Sequence, residues 1–366
     1  MNPELSNFAA RLRELIANRP STISHQPFSE PALELFALQF KYNSTYRKIC
    51  EARQLIPHNI EHWTQIPAVP TAAFKELELT SLVPETRTAV FHSSGTTEQK
   101  PSRHFHNAES LAVYEASLWA WFKQKCGVRS AECGVVVLTP PPEQVPHSSL
   151  VHMFETLRQK LGAAETAFVG KLAASGSWTL DFDKTLVALG GNSILKTQKP
   201  QLVFGTAFSF VHLLDHLAES NLHFELPAGS RVMETGGYKN RSRVLPKEEL
   251  HGLIAERLSV PRKNIICEYG MSELSSQAYD FEVGSQKSEV RSFQFPPWAR
   301  VQIISPETGR EVADGETGII RIFDLANIFS VAAIQTEDLG VRRGDGFELI
   351  GRAQLAEPRG CSLMTA

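Results

Sequence analysis

The sequence predicts an α/β protein with a parallel sheet covered by helices, a helical N-terminal section before it and a small β-rich module after it. Three observations predict this. Between about 86 and 280 one unit recurs, in which an apolar run meets a loop rich in Gly, Pro or Ser and then an amphipathic segment. Ahead of it, apolar residues recur at helical spacing. Beyond about 290, short apolar runs alternate with Pro, Gly and Asp turns, which reads as antiparallel strands.

In the helical section, residues 1–85, Ala9, Leu12, Leu15 and Ile16 form one stripe, and Leu33, Leu35, Phe36, Leu38 and Phe40 belong to a second helix. Pro67 and Pro70 mark a loop, with Thr71–Leu79 helical after it. In the core, residues 86–290, the run Gly134–Leu138 precedes the Pro140–Pro146 loop and a helix over Ser148–Leu161. Leu202–Phe204 leads through Gly205–Thr206 to a helix containing Val211, Leu214 and Leu217. Arg231–Met233 leads through Thr235–Gly237 to a helix that starts near Pro246. Asn264–Cys267 leads into a loop over Tyr269–Glu273. Such sheets take ligands beyond the carboxyl ends of their strands, where these loops lie. In the module, residues 291–366, strands are expected at Val301–Ile304, Gly318–Phe323, Ser330–Ile334 and Gly346–Ile350.

Composition narrows the function classes. The 366 residues are 42% hydrophobic and 21% charged, ordinary for a soluble globular chain. A net charge of -3 and the lack of a long basic patch speak against a nucleic-acid partner. Five cysteines at irregular spacing, with no C-x-x-C pair, support neither a zinc knuckle nor a disulfide framework. The N-terminus lacks the apolar stretch of a signal peptide, and no run approaches the roughly 18 apolar residues of a membrane span. A cytoplasmic setting is expected.

Three segments carry chemistry. In Phe91–Pro101, FHSSGTTEQKP, Ser93, Ser94, Thr96 and Thr97 surround Gly95, with Lys100 close behind. Small hydroxylated residues can wrap an anion with N–H and O–H donors, although on composition alone the plain reading is a polar turn. It is not a Walker A loop. In Glu268–Leu274, EYGMSEL, Tyr269 offers a stacking face and Glu273 an oxygen ligand for Mg²⁺. Alone, they read as a packing residue and a helix-start carboxylate. In Gln335–Gly340 and Asp345–Arg352, Asp338 can accept from ribose hydroxyls and Arg352 can add donors, while the D-G pair also suits a hairpin turn.

Together and in this order, over roughly residues 60–355, the segments resemble the adenylate-forming superfamily of acyl-CoA synthetases, luciferases and adenylation domains. The resemblance implies an N-terminal-domain-like core of that fold and ATP and Mg²⁺ as cofactors. It places Ser93, Ser94, Gly95, Thr96, Thr97 and Lys100 on the β- and γ-phosphates, and Glu273 on Mg²⁺ with Thr97. Tyr269 would stack on adenine, Asp338 would hold the ribose with Arg352 assisting, and Thr235, Gly236 and Gly237 would lie beside adenine and the acyl pocket. Where the family continues after G-R-x-D into a mobile C-terminal domain with a late lysine, this sequence has Gly351-Arg352-Ala353-Gln354 and ends at Ala366. That domain is expected to be absent.

The narrower resemblance is to the acyl-protein synthetase family, the synthetase component of the fatty-acid reductase of bacterial bioluminescence. It rests on the length, the helical N-terminal section and the tail Arg359-Gly360-Cys361-Ser362-Leu363. It implies a long-chain fatty acid as the carboxylic-acid substrate, Cys361 as the thiol that takes the acyl group, and a partner protein, a reductase or carrier, that receives it. A thiolate is a competent nucleophile towards an acyl phosphate anhydride. Two alternatives remain: direct transfer to coenzyme A or a carrier-protein thiol, and a non-catalytic ATP-binding subunit. His104 and His106 could face phosphate but read first as surface or packing residues. Cys267 reads as a buried small hydrophobe, His147 and His152 lie near the proline loop, where an acyl-pocket wall is one alternative, and Phe204, Phe208 and Phe210 read as pocket or core.

Overall fold

Strands that are apolar at successive positions must be covered on both faces, and this requirement organises the protein. The computed structural model describes residues 2–18, 28–93, 100–127, 133–163, 166–173, 176–190, 199–238, 241–282 and 291–352. It opens with helices α1 (Pro3–Asn18), α2 (Ser29–Tyr42) and α3 (Ser44–Ala52), strand β1 (Val69–Pro70) and the single turn α4 (Ala73–Glu76). Next come β2 (Ala89–His92), β3 (Arg103–His106), α5 (Ala108–Cys126), β4 (Gly134–Val137), α6 (Ser149–Leu161), β5 (Thr166–Phe168), β6 (Gly170–Leu172), β7 (Trp178–Leu180) and α7 (Phe182–Ala188). The middle of the chain forms β8 (Gln201–Thr206), α8 (Ala207–Glu219), β9 (Arg231–Thr235), α9 (Lys247–Leu258) and β10 (Ile265–Tyr269). The remainder is β11 (Ala278–Glu282), β12 (Arg291–Gln294), β13 (Ala299–Ile304), β14 (Thr317–Asp324), β15 (Ala333–Arg343) and β16 (Gly346–Arg352).

Among the described residues one sheet of 12 strands dominates. Strands β5, β4, β8, β9 and β10 lie parallel in that order. From β10 the sheet continues antiparallel through β11, β12, β16, β15, β14 and β13, and β1 lies parallel beside β15. Alternate residues of the parallel strands feed two cores. Val135, Val137, Leu202, Phe204, Met233 and Ile266 meet α5 and α6 on one face. Val136, Val203, Val232 and Ile265 meet α8 and α9 on the other. The α/β expectation holds, with helices on both faces.

Local signals explain the helices. In α1, Leu5, Phe8, Ala9, Leu12 and Ile16 are buried, one stripe at helical spacing. Asn107 caps α5 by accepting from Ser110 N at 2.8 Å, and Gly127 ends it in the left-handed region. Ser148 and Gly162 bracket α6 in the same way. No described helix is long and apolar enough to cross a membrane.

Several boundaries differ from expectation. Only Ala73–Glu76 of the expected Thr71–Leu79 helix is helical. Thr206, Thr235 and Tyr269 end their strands instead of opening the loops. The strand expected at Ser330–Ile334 starts at Ala333 and runs on to Arg343, through the polar Gln335–Gly340 segment. Neighbours on both sides hold it there. Gln335 accepts from Arg321 Nε at 2.9 Å and Thr336 donates to Ile320 O at 2.8 Å, beside a register shift in β14.

The connection from β14 to β15 is buried, so its polar groups need internal partners. Gln39 of α2, fully buried, donates to Asn327 O and Ile328 O at 2.9 and 3.1 Å and accepts from Ala332 N at 3.0 Å. Replacing it with Leu orphans all of these groups, so Gln39→Leu is expected to lower the unfolding free energy by about 3 kcal/mol or more. Lys41→Met on the same helix removes an exposed pair with Glu4 and a contact with the Tyr42 ring, and should leave the urea midpoint nearly unchanged. Urea midpoints of the two variants check this, and equal losses would show that α2 does not anchor the connection.

Candidate active site

The segments that the sequence singled out converge at the carboxyl ends of β9 and β10. Tyr269 closes β10, and its hydroxyl donates to Asp338 Oδ2 of β15 at 2.8 Å. Arg352, at the end of β16, lies 3.4 Å from the other Asp338 oxygen. The register that pairs Asp338 with Arg352 brings these two about. Tyr269 itself is buried against Phe293, Phe295 and Phe347, with ring centroids 5.2–6.3 Å away. Burial, with the Asp338 carboxylate adding to it, pushes the phenol well above its ordinary pKa, so it stays a donor.

Glu273 sits just beyond, 5% exposed, and burial raises its pKa above the usual carboxylate range. Its loop is held by backbone contacts. His104 Nδ1 donates to Ser272 O at 2.8 Å, Ser272 Oγ donates to His92 O at 2.9 Å, and Asn327 Nδ2 donates to Glu273 O at 2.9 Å. Since His92 ends β2, the same contacts tie this loop to the start of the hydroxyl-rich segment. There Ser102 N donates to Ser93 Oγ at 2.9 Å, drawing the two stems together. The Ser102 hydroxyl is buried beside the Glu273 carboxyl and, by hydrogen bonding, works against the effect of burial on it.

At the end of β9, Gly236 adopts φ +68°, which favours glycine, and a Cβ at Gly236 or Gly237 would meet nothing within 4 Å. Thr235 hydrogen-bonds the carboxylate of Glu268, which joins the glycine segment to the Tyr269 strand. Lys100 is exposed, with its ammonium 3.4 Å from Glu76 of α4. Ser94, Gly95, Thr96, Thr97 and Cys361 lie outside the described residues.

Two histidines fall on the packing side of their alternatives. His104 and His106 are 3% and 1% exposed, and burial lowers the pKa of His104 to about 4 and that of His106 in the same direction. A neutral His104 is a donor to Ser272 O. Sequence reasoning missed that link and Asn327, because each joins residues far apart in the chain. It also gave Glu268 no role, although that carboxyl is 5% exposed at the strand end. No group of three or more His, Cys, Asp or Glu among the described residues forms a metal cluster. Magnesium needs no such cage, since one or two carboxylates with phosphate oxygens and waters commonly suffice. Glu273, with the buried Ser102 hydroxyl beside it, supplies oxygen donors of that kind.

Comparison with known proteins gives the chain a family. The model of the family described as acyl-protein synthetase, LuxE, matches residues 17–366. A long-chain-fatty-acid–luciferin-component ligase of Aliivibrio fischeri is 25% identical over 91% of this chain and 86% of its own. Among solved structures, a 2-hydroxyisobutyryl-CoA ligase with 2-HIB-AMP and CoA bound superposes over 92% of this chain and 68% of its own, with a TM-score of 0.65 and 13% identity. ATP-bound MatB of Rhodopseudomonas palustris matches with a TM-score of 0.51 and 15% identity. The match takes in 74% of this chain, which spans about half (49%) of MatB. These structures are alike in fold.

The Glu268 carboxyl makes a pH-dependent contribution to stability. Burial, opposed by the Thr235 hydrogen bond and reinforced by Glu234, raises its pKa to about 7. A raised carboxyl pKa means that the folded state holds its proton longer than the unfolded one. Stability is therefore lost as pH rises from the unfolded value of 4.5 to about 7, by roughly 3 kcal/mol. Glu268→Gln is expected to match the wild type at pH 5 and to exceed it by about 2–3 kcal/mol at pH 8. Urea melts at both pH values test this, and the same offset at each would contradict it.

Proposed function

Because this chain belongs to the acyl-protein synthetase family, we propose that it activates a carboxylic acid with ATP and passes the acyl group to a thiol. In the first half-reaction a carboxylate oxygen attacks the α-phosphorus, the bond to the bridging oxygen breaks, and pyrophosphate leaves behind an acyl-adenylate. In the second, a thiolate attacks the acyl carbon and AMP departs. The observation that carries the reading is the meeting of Tyr269 and Asp338 at 2.8 Å, with Arg352 on the same carboxylate. Residues 69 positions apart thereby meet at the carboxyl end of β10, on the side where such sheets commonly take ligands.

In this reading Tyr269 stacks on adenine, Asp338 accepts from the ribose hydroxyls, and Arg352 assists Asp338. Gly236 and Gly237 let the backbone approach the base. Ser93, Ser94, Gly95, Thr96, Thr97 and Lys100 take the β- and γ-phosphates. Glu273 and Thr97 would hold Mg²⁺, which when bound offsets the phosphate charge. These residues work by positioning and charge neutralisation. The labour divides along the chain: a helical section (1–85), a nucleotide- and acyl-binding core (86–290) and a β-rich module with its tail (291–366).

The ligase name of the Aliivibrio fischeri relative supports a long-chain fatty acid as substrate and an acyl-accepting partner protein. Cys361 is the proposed acceptor thiol, releasing its thioester to a reductase or carrier, in a cytoplasmic setting. Pyrophosphate release from ATP over acids of graded length, read beside protein labelling, tests both halves. Release is expected with long-chain acids, with label on the Cys361 peptide. Glu273→Gln should reduce release by about 100-fold or more. Cys361→Ala should keep release and lose label. Release without label in the wild type would move the acceptor to coenzyme A or a carrier thiol, and no release with any acid would overturn the reading.

A further inference from the structure

Strands β6 and β7 form a two-stranded sheet of their own, and it is fastened to the carboxyl end of β4. Val169 N donates to Val137 O at 2.9 Å and Gly170 N to Thr139 O at 3.0 Å, just where β4 gives way to the proline loop. A Cβ on Gly170 would lie 2.3 Å from the Thr139 carbonyl carbon, so glycine is what lets the two backbones come this close. Leu172 N reaches the proline loop itself, donating to Gln144 Oε1 at 3.2 Å. The return strand is closed by Asp181 N, which donates to Val169 O at 2.8 Å.

The register sets Gly170 opposite Leu180 and Leu172 opposite Trp178, which puts these four on one face and Lys171 with Thr179 on the other. The first face climbs out of the core. Leu180 is buried in the core beneath α8, Trp178 is half-buried, and Leu172 is 42% exposed. Trp178 packs on Phe208, with ring centroids 6.3 Å apart, and Phe208 lies in the first turn of α8, directly after the end of β8. The Arg241 guanidinium also lies on Phe208, 5.6 Å from its centroid, and Arg241 O is held by His212 Nε2 at 2.8 Å. Arg241 belongs to the segment that leaves Gly236 and Gly237. The hairpin thus bridges the ends of β4 and β8, with Phe208 linking it to the segment after β9. Ligands of such sheets sit beyond these strand ends. Two large apolar side chains left partly in water there offer a surface that an aliphatic chain can cover, at about fourfold in affinity per buried methylene.

We propose that Trp178 and Leu172 are specificity-determining residues for the carboxylic acid, forming an apolar lip that receives the distal methylenes of a long acyl chain. The proposal rests on the adenylate-forming reading and adds the element that senses chain length. Pyrophosphate release by the full chain is measured with hexanoic, decanoic and tetradecanoic acids, for the wild type, Trp178→Ala, Trp178→Phe and Leu172→Ser. In Trp178→Ala the KM for tetradecanoic acid is expected to rise about tenfold or more, and in Leu172→Ser about threefold, while Trp178→Phe stays near the wild type. The KM values for hexanoic acid and ATP should stay within about twofold, and kcat should hold, since the lost contact is made equally before and during reaction. Unchanged KM for tetradecanoic acid, or an equal rise for all three acids, would overturn the role of the hairpin alone. Should Trp178→Ala fail to fold, Leu172→Ser, altered at an exposed side chain, decides between the same outcomes. A wild type that releases pyrophosphate with none of the acids would overturn the adenylate-forming reading and the role of the hairpin with it.

Discussion

A buried loop has to satisfy its own backbone, and the connection between β14 and β15 does so by drawing on the rest of the protein. Asp324, fully buried, accepts from Ser275 N at 2.9 Å, Ser276 Oγ at 2.7 Å and Ala326 N at 3.0 Å. Asn327 accepts from Ser275 Oγ at 3.0 Å and donates to Val331 O at 2.8 Å as well as to Glu273 O. Gln39 and Asn43 come in from the N-terminal helices, and Leu79 to Ser81 from the segment after α4. Ser276 passes the network on to Ser117 of α5 at 3.0 Å, and Ser117 accepts from the buried Trp298 at 2.7 Å. Losing any of these partners strands a polar group away from water, which costs more than the bond itself contributes.

That constraint also sets the site. Glu273 hangs from a loop whose backbone is fixed by His104, His92 and Asn327, so its carboxyl is held in place. The Tyr269–Asp338 contact fixes the neighbouring edge, and the aromatic cluster of Phe293, Phe295 and Phe347 keeps the tyrosine ring from turning. Groups aimed in advance at where charge accumulates need little rearrangement during reaction, which is the kind of order that acyl activation rewards.

The parallel half of the fold was legible because each strand, loop and helix leaves a local mark, down to Ser148 and Gly162 at the ends of α6. The antiparallel half was legible in outline. The length of β15 was not, since Gln335–Gly340 reads as a polar loop until β14 and β16 are known to flank it. Tyr269, Asp338 and Arg352 were singled out through the order of motifs, although the contact between the phenol and the carboxylate was not foreseen. Gln39, Asn43 and Asn327 look like surface residues one at a time. Their role depends on neighbours some 290 positions away for Gln39 and Asn43 and about 50 for Asn327, a relation that no window of sequence contains.

The placement of charge follows from the same economy of burial. Asp338 with Arg352 and Glu76 with Lys100 are pairs with at least one exposed member, where the gain from pairing and the cost of desolvation are both small. Asp280 is the opposite case, with no exposure, and Lys247 at 2.8 Å and Arg291 at 3.0 Å hold it from two sides. Glu273 falls between them. It is nearly as buried as Asp280, but the cations that act on it, Arg352 and Lys75, leave its pKa above the usual range. A carboxyl kept in that position is under-compensated by the protein's own charges. Such a group favours cationic company at the site over an anion arriving alone, which is why the proposed chemistry pairs the nucleotide's phosphates with a divalent ion.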